Sequence, residues 1–350
     1  MSYTNGLDKP SDYFTTKLYV GNGGTQSITG LDFAPNMTWI KGRSFADNHF
    51  ITDSVRGVTK TIFPDLTAAE ETQSGALTAF GSDGFSVGSM AEGNTNGATI
   101  CSWNWKAGTS FTNDASATGI GTIDSTGSVN QDAGFSIVSW TGDGNTSGTI
   151  KHGLSTAPAM IISKNRDGAE NWFCYHKSLG ATKYIRLNIT NAAGSATSIW
   201  NDTEPTTSVF TVGNDTSVNS NNVKYIAYCF SEKQGYSKFG SYTGNGNADG
   251  TFVYTGFKPA WVMWKRTDAT NDWYIYDNKR NSFNTMGRRL EANQSDAEVN
   301  SGSAIVDFLS NGYKFRGTDP SWNVSGGNFI YMAFAESPFV TSTGVPATAR

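Results

Sequence analysis

Three histidines (His49, His152, His176) and three cysteines (Cys101, Cys174, Cys229) are the side chains here best suited to nucleophilic or metal chemistry. The cysteines are odd in number, sit in apolar runs and lack metal-ligand spacing. They are expected as buried free thiols, with no metal site. A nucleophile needs a base that a third group orients, and no such trio is spelled out. The position shared by Asp53, His176 and Asp277 changes chemical type between otherwise matching segments. A glycosidase needs two carboxylates at a set separation. Among 30 acidic residues some pair is always close, and nothing singles one out. Asp53 with Arg56, and Asp277 with Arg280, share a three-residue spacing that reads as loop-ordering ion pairs, weak at a surface. Gly21-Asn22-Gly23, Gly142-Asp143-Gly144 and Gly244-Asn245-Gly246 resemble half a dinucleotide fingerprint. The helix start which that motif needs does not follow, so they read as turns. The expectation is therefore no enzyme and no cofactor.

Binding has better candidates. Trp172 and Trp273, with His49 at the matching place, are flanked by Asn171 and Asp272. A tryptophan stacks on a sugar face while neighbouring polar groups bond its hydroxyls. The competing role is core, since large aromatics in a small sandwich are mostly buried. Lys41, Lys164 and Lys265 each end an apolar run. Their expected role is that of edge lysines that block sheet-to-sheet pairing.

Those residues are positioned by a repeat. An aromatic leads each Gly-x-Gly: Tyr19, Trp140 and Tyr242. Twelve to fourteen residues after the second glycine comes a proline (Pro35, Pro158, Pro259), and six further on the lysine. Eight past the lysine stand His49, Trp172 and Trp273; twelve past it stand Asp53, His176 and Asp277. Phe80-Gly81-Ser82-Asp83-Gly84-Phe85 parallels Phe308-Leu309-Ser310-Asn311-Gly312-Tyr313, each suited to a two-residue hairpin turn. Each copy closes on an apolar strand, 100–105, 225–230 and 329–334, which reads as central and covered on both faces.

The fold class is all-β: three tandem antiparallel β-sandwich (jelly-roll-like) repeats with very little helix. The predicted boundaries are an N-terminal segment 1–12, repeat one 13–108, a flexible linker 109–133, repeat two 134–238, repeat three 239–340 and a frayed tail 341–350. Single helical turns are expected near 68–71 and 294–299. Aromatics at 13% supply the cores of a chain that is only 37% hydrophobic.

The formal net charge of −4 and the lack of a basic cluster argue against nucleic acid as a partner. No apolar run approaches the ~20 residues of a membrane helix, so no membrane insertion is expected. The start, MSYTNGLDKPSDYF, has no signal-peptide pattern.

Several stretches carry a more specific likeness. They are 133–144 with Trp140-Thr141-Gly142-Asp143-Gly144, His152-Gly153-Leu154 with Pro158, Asn171-Trp172 through Ser178, and Phe239-Gly240-Ser241-Tyr242. Together they resemble an uncharacterised repeat-domain family of tailed-bacteriophage virion structural proteins. The resemblance implies a virion structural protein, a tail or head appendage of fibre or decoration type. Its implied partners are other virion proteins, its oligomer a trimer, and its place the virion after synthesis in the host cytoplasm. No binding residue is carried over. A carbohydrate-binding receptor-recognition module that contacts a host-surface glycan is the alternative, and a polysaccharide depolymerase the remote one. Aromatics outside the alternating positions add a reason to expect buried subunit contacts.

Overall fold

Runs of Thr, Val, Tyr, Phe and Trp between glycine turns lay down antiparallel strands. In all three units the same four pair in the same order. The computed structural model describes residues 6–300 and 305–347. In unit one the opening strand Phe14–Val20 pairs with the closing strand Thr99–Trp105. That strand pairs with Met37–Gly42, which pairs with Phe50–Asp53. Unit two repeats this with Phe135–Thr141, Lys224–Phe230, Met160–Asn165 and Phe173–His176. Unit three uses Ser237–Thr243, Asn328–Pro338, Phe257–Arg266 and Trp273–Asp277. Register is kept as well as order. Lys41 lies opposite Cys101, Lys164 opposite Ile226 and Lys265 opposite Ile330. The strand that follows each proline is thus the same strand each time. Pro259, lying within its strand, sits at a bulge, where its missing N–H does no harm.

A smaller sheet covers one face of each large sheet. Ile28, Ile150 and Val253 sit opposite Phe85, Phe210 and Tyr313 in these smaller sheets and are buried. The predicted hairpins form at Phe80–Phe85 and Phe308–Tyr313, with two-residue turns.

The other face of each large sheet meets the other two units. One core contains Trp39, Trp103 and Trp105 of unit one, Trp172, Tyr228 and Phe230 of unit two, and Trp261, Trp273 and Phe334 of unit three. This is why the closing strands of units two and three are apolar on both sides. In unit two, Tyr225, Ala227 and Cys229 pack within the sandwich, whereas Ile226, Tyr228 and Phe230 face the shared core. The three units close into a ring. Glu298 N–H donates to Arg43 O at 2.8 Å, Glu70 N–H to Arg166 O at 2.8 Å and Ala193 N–H to Thr267 O at 2.9 Å. Unit one thus meets three, two meets one, and three meets two, through one equivalent bond. The chain is a pseudo-threefold body. Many of the aromatics outside the alternating positions pack inside it.

Several expectations need correction. Residues 109–133 are not a flexible linker. Thr109–Asn113 and Ser125–Asn130 extend the large sheet of unit two beyond Phe135–Thr141. The segments 68–71 and 294–299 contain no helix, and the short helices among the described residues are the 3-10 turn Pro10–Asp12 and the α-helical turns Ala91–Asn94, Ala115–Thr118 and Thr197–Trp200. The tail up to 347 is not frayed: Ser342 bonds the Asp8 carboxylate and Val340 bridges Pro346. Residues 1–5 and 348–350 of the two predicted terminal segments lie outside the described residues.

The Gly-x-Gly turns are clamped from below. Buried Asn94, Asn219 and Asn323 accept from the N–H of Asn22, Asp143 and Asn245 at 2.8, 3.1 and 3.1 Å. A Cβ on Gly142 would meet Ser220 O at 2.3 Å, and Gly144 holds φ +73°. Gly142→Ala is expected to cost about 1–3 kcal/mol, because backbone has to move. Gly24→Ala is the control, since its nearest neighbour would lie 3.9 Å away. Urea melts of both variants check this; equal midpoints would refute it.

Candidate functional site

The titratable residues read from the sequence converge at the junctions between units, where they act as struts. Asp53 accepts from Arg56 Nε at 2.5 Å and from Tyr228 of unit two at 2.7 Å. Asp277 accepts from Arg280 Nε at 2.5 Å and from Trp103 Nε1 of unit one at 3.1 Å. Both ion pairs are fully buried rather than superficial. His176 instead donates from Nε2 to Tyr331 O of unit three at 3.1 Å, while Nδ1 accepts from Ser178 N–H at 3.1 Å. Register explains the change of residue type. Tyr228 and Trp103 face the proline-led strand where unit three has Met332. A hydroxyl or indole N–H needs an acceptor, and thioether sulfur donates nothing. Burial, with Lys177 nearby, pushes His176 down to about 4, so its neutral tautomer is set by these bonds.

The repeated lysines are not edge residues. Each is fully buried in an inner strand and reaches the next unit. Lys41 donates to Ser295 O at 3.1 Å, Lys164 to Thr67 O at 3.1 Å and Lys265 to Thr190 O at 3.0 Å. Burial lowers all three, Lys164 to about 8 and Lys265 to about 7.

The proposed sugar platform is also internal. Trp172, Trp273 and His49 are buried and show no ring face to a ligand. Trp172 Nε1 donates to Phe63 O of unit one at 2.9 Å, and Trp273 Nε1 to Arg186 O of unit two at 2.8 Å. His49 Nδ1 accepts from Trp39 Nε1 at 2.9 Å, and burial drives the ring well below its usual pKa. Asn171 accepts from Asn188 Nδ2 at 3.0 Å and Asp272 from Asn293 Nδ2 at 2.8 Å. Asn188 and Asn293 in turn accept the backbone N–H of Trp172 and Trp273. In unit one their place is taken by Asp65. It is buried beside the His49 N–H, yet neither oxygen makes a hydrogen bond of ordinary geometry. Burial lifts its carboxyl to about 7.

Around the ring, two of the three junctions carry, at the same position, a glutamate held by two arginines. Glu70 binds Arg166 through two 2.9 Å bonds and Arg56 at 3.3 Å. Glu298 binds Arg43 at 2.9 and 3.0 Å and Arg280 at 3.2 Å. Burial works to raise both carboxyls, but the guanidiniums outweigh it and hold them low. At the third junction Ala193, Thr267 and Leu179 replace glutamate and both arginines. The space left is a cleft of about 450 Å³.

A second asymmetry lies on the outer face of the small sheets. The outward positions flanking Ile28 are Ser27 and Thr29, and those flanking Ile150 are Thr149 and Lys151. Those flanking Val253 are Phe252 and Tyr254. Phe252 is 43% and Tyr254 58% exposed. Tyr254 forms one wall of a cleft of about 430 Å³, whose other walls include Phe339, Glu232, Gln234 and Lys238. Glu232 is paired with Lys238 at 2.5 Å and with Lys177. This site was missed in the sequence. The signal was the alternation Thr251-Phe252-Val253-Tyr254, which puts two rings on the solvent face of a small sheet.

The architecture is that of a closed body of three β-sandwich units, and Tyr254 and Phe339 wall a cleft on its outer surface. The chain belongs to the DUF7483 family, a domain of unknown function whose model matches residues 9–338. No curated protein matches it. The matched span takes in all three units, as a body with one shared core requires.

Proposed function

We propose that the chain is a non-catalytic structural component of a bacteriophage particle, a head or tail appendage of fibre or decoration type. The observation that carries the non-catalytic part is how the reactive side chains are spent. Asp53, His176, Asp277 and the three lysines are buried and bonded across unit junctions. A group held this way has no reacting atom within reach. The particle itself is proposed from the likeness of the 133–144 and 171–178 stretches to phage repeat domains. Support also comes from the ring geometry, which lets one chain sit on a three-fold axis and offer similar faces to three neighbours. The test is reconstruction of an intact particle whose genome encodes this chain. Density that fits the three-unit body is expected. Absence of the chain from purified particles, by density and by mass spectrometry, would refute the proposal.

A further inference from the structure

We propose that the cleft walled by Tyr254 and Phe339 on unit three binds a glycan, with the Phe252 ring extending the site along the same strand face. Three equivalent outward sites share one backbone, and only the third carries aromatic rings, so the strand itself does not demand them. Chemistry points the same way. A sugar ring offers an apolar C–H face and a rim of hydroxyls. The cleft offers the exposed Tyr254 ring and the half-buried Phe339 ring beside a carboxylate, an ammonium and an amide, namely Glu232, Lys238 and Gln234. Such pairing of an aromatic wall with a few convergent polar groups is what an amphipathic ligand needs.

The size of the patch argues against a protein partner. At 43% and 58% exposure, the two rings present roughly 200 Å² in all, whereas a stable protein interface buries about 800 Å² per partner. The cleft volume of about 430 Å³ lies within the ~300–1,000 Å³ of small-ligand sites. The site binds without cleaving. Glu232 is the one carboxylate among the lining residues, whereas the usual glycosidase arrangement holds a pair. Burial works to raise it, but its two lysines hold it ionised and below its usual range. It is therefore an acceptor rather than a general acid.

Glycan binding at this cleft does not depend on particle membership. The full chain is applied to an array of bacterial capsular and lipopolysaccharide oligosaccharides, and hits are titrated by calorimetry. Parent protein is expected to bind at least one class. Tyr254→Ala and Phe252→Ala should each weaken it by about tenfold. Tyr254→Trp should keep it, and Thr29→Ala, at the equivalent site of unit one, should leave it unchanged. Tyr254 and Phe252 lie at the surface, so unchanged melting temperatures will separate lost binding from lost fold. No binding across the array, binding indifferent to both alanine variants, or release of reducing ends from a bound glycan would each overturn the inference.

Discussion

Asp65→Asn is expected to stabilise the protein by roughly 4 kcal/mol above pH 7, since each tenfold change in acidity is worth about 1.36 kcal/mol, and by nothing near pH 3. The carboxyl is raised from its ordinary 3.8 to about 7 by burial. Below 3.8 both folded and unfolded chains hold the proton, and the group costs nothing. Between 3.8 and 7 the unfolded chain releases the proton and the folded one keeps it. The folded state then binds more protons, and stability falls as pH rises. Above about 7 both forms are ionised and the whole penalty stands. Asn188 and Asn293 already fill this position in the other two units. A protonated acid resembles an amide in offering one donor and one acceptor, so asparagine fits the site at every pH. Paired melts of parent and variant at intervals from pH 4 to 8 give the difference directly, which removes the titration of all other carboxylates. A difference that stays constant with pH, or a variant less stable at pH 8, would show that Asp65 is ionised and satisfied in the fold.

What was legible in the sequence was local. The glycine turns, the proline and the lysine are fixed within one unit by backbone sterics and register, so their spacing survived divergence and revealed three copies. The assembly of those copies was not legible. Two apolar faces on a closing strand state that cover is needed, not which element supplies it. Lys41, Lys164 and Lys265 were misread for the same reason, since a lysine ending an apolar run looks alike at an edge and at a junction. Their partners are carbonyls in distant segments, which leave no side-chain signature. Trp172 and Trp273 were ambiguous because Asn171 and Asp272 beside them resemble sugar ligands. Those groups in fact serve Asn188 and Asn293. Residues 109–133 looked flexible because their strands are built from Ser, Thr and Gly. Gly127 is needed there, since a Cβ would lie 2.3 Å from Ile137 O and 2.5 Å from the Phe111 ring. Small residues marked close packing, not a lack of structure.

The shared core also decides how the molecule unfolds. Phe334 is expected to matter to all three units, although it belongs to the closing strand of the third. Its ring lies 4.9 Å from Phe14 and 5.7 Å from Trp105 of unit one. It is 6.0 Å from Phe230 of unit two, and 5.9 and 6.2 Å from Trp261 and Phe239 of its own unit. At 1% exposure it cannot be truncated without leaving a cavity. Phe334→Ala should therefore cost about 3–5 kcal/mol, a large part of the ~5–15 kcal/mol typical of a folded domain. Calorimetry should show one transition for the parent and one, at lower temperature, for the variant. Lys238→Ala removes a half-exposed ion pair with Glu232 and should cost no more than about 1 kcal/mol. If Phe334→Ala instead splits the trace, with one unit melting early and two at the parental temperature, each sandwich holds itself together. The core between the units would then be a contact surface rather than the source of their stability.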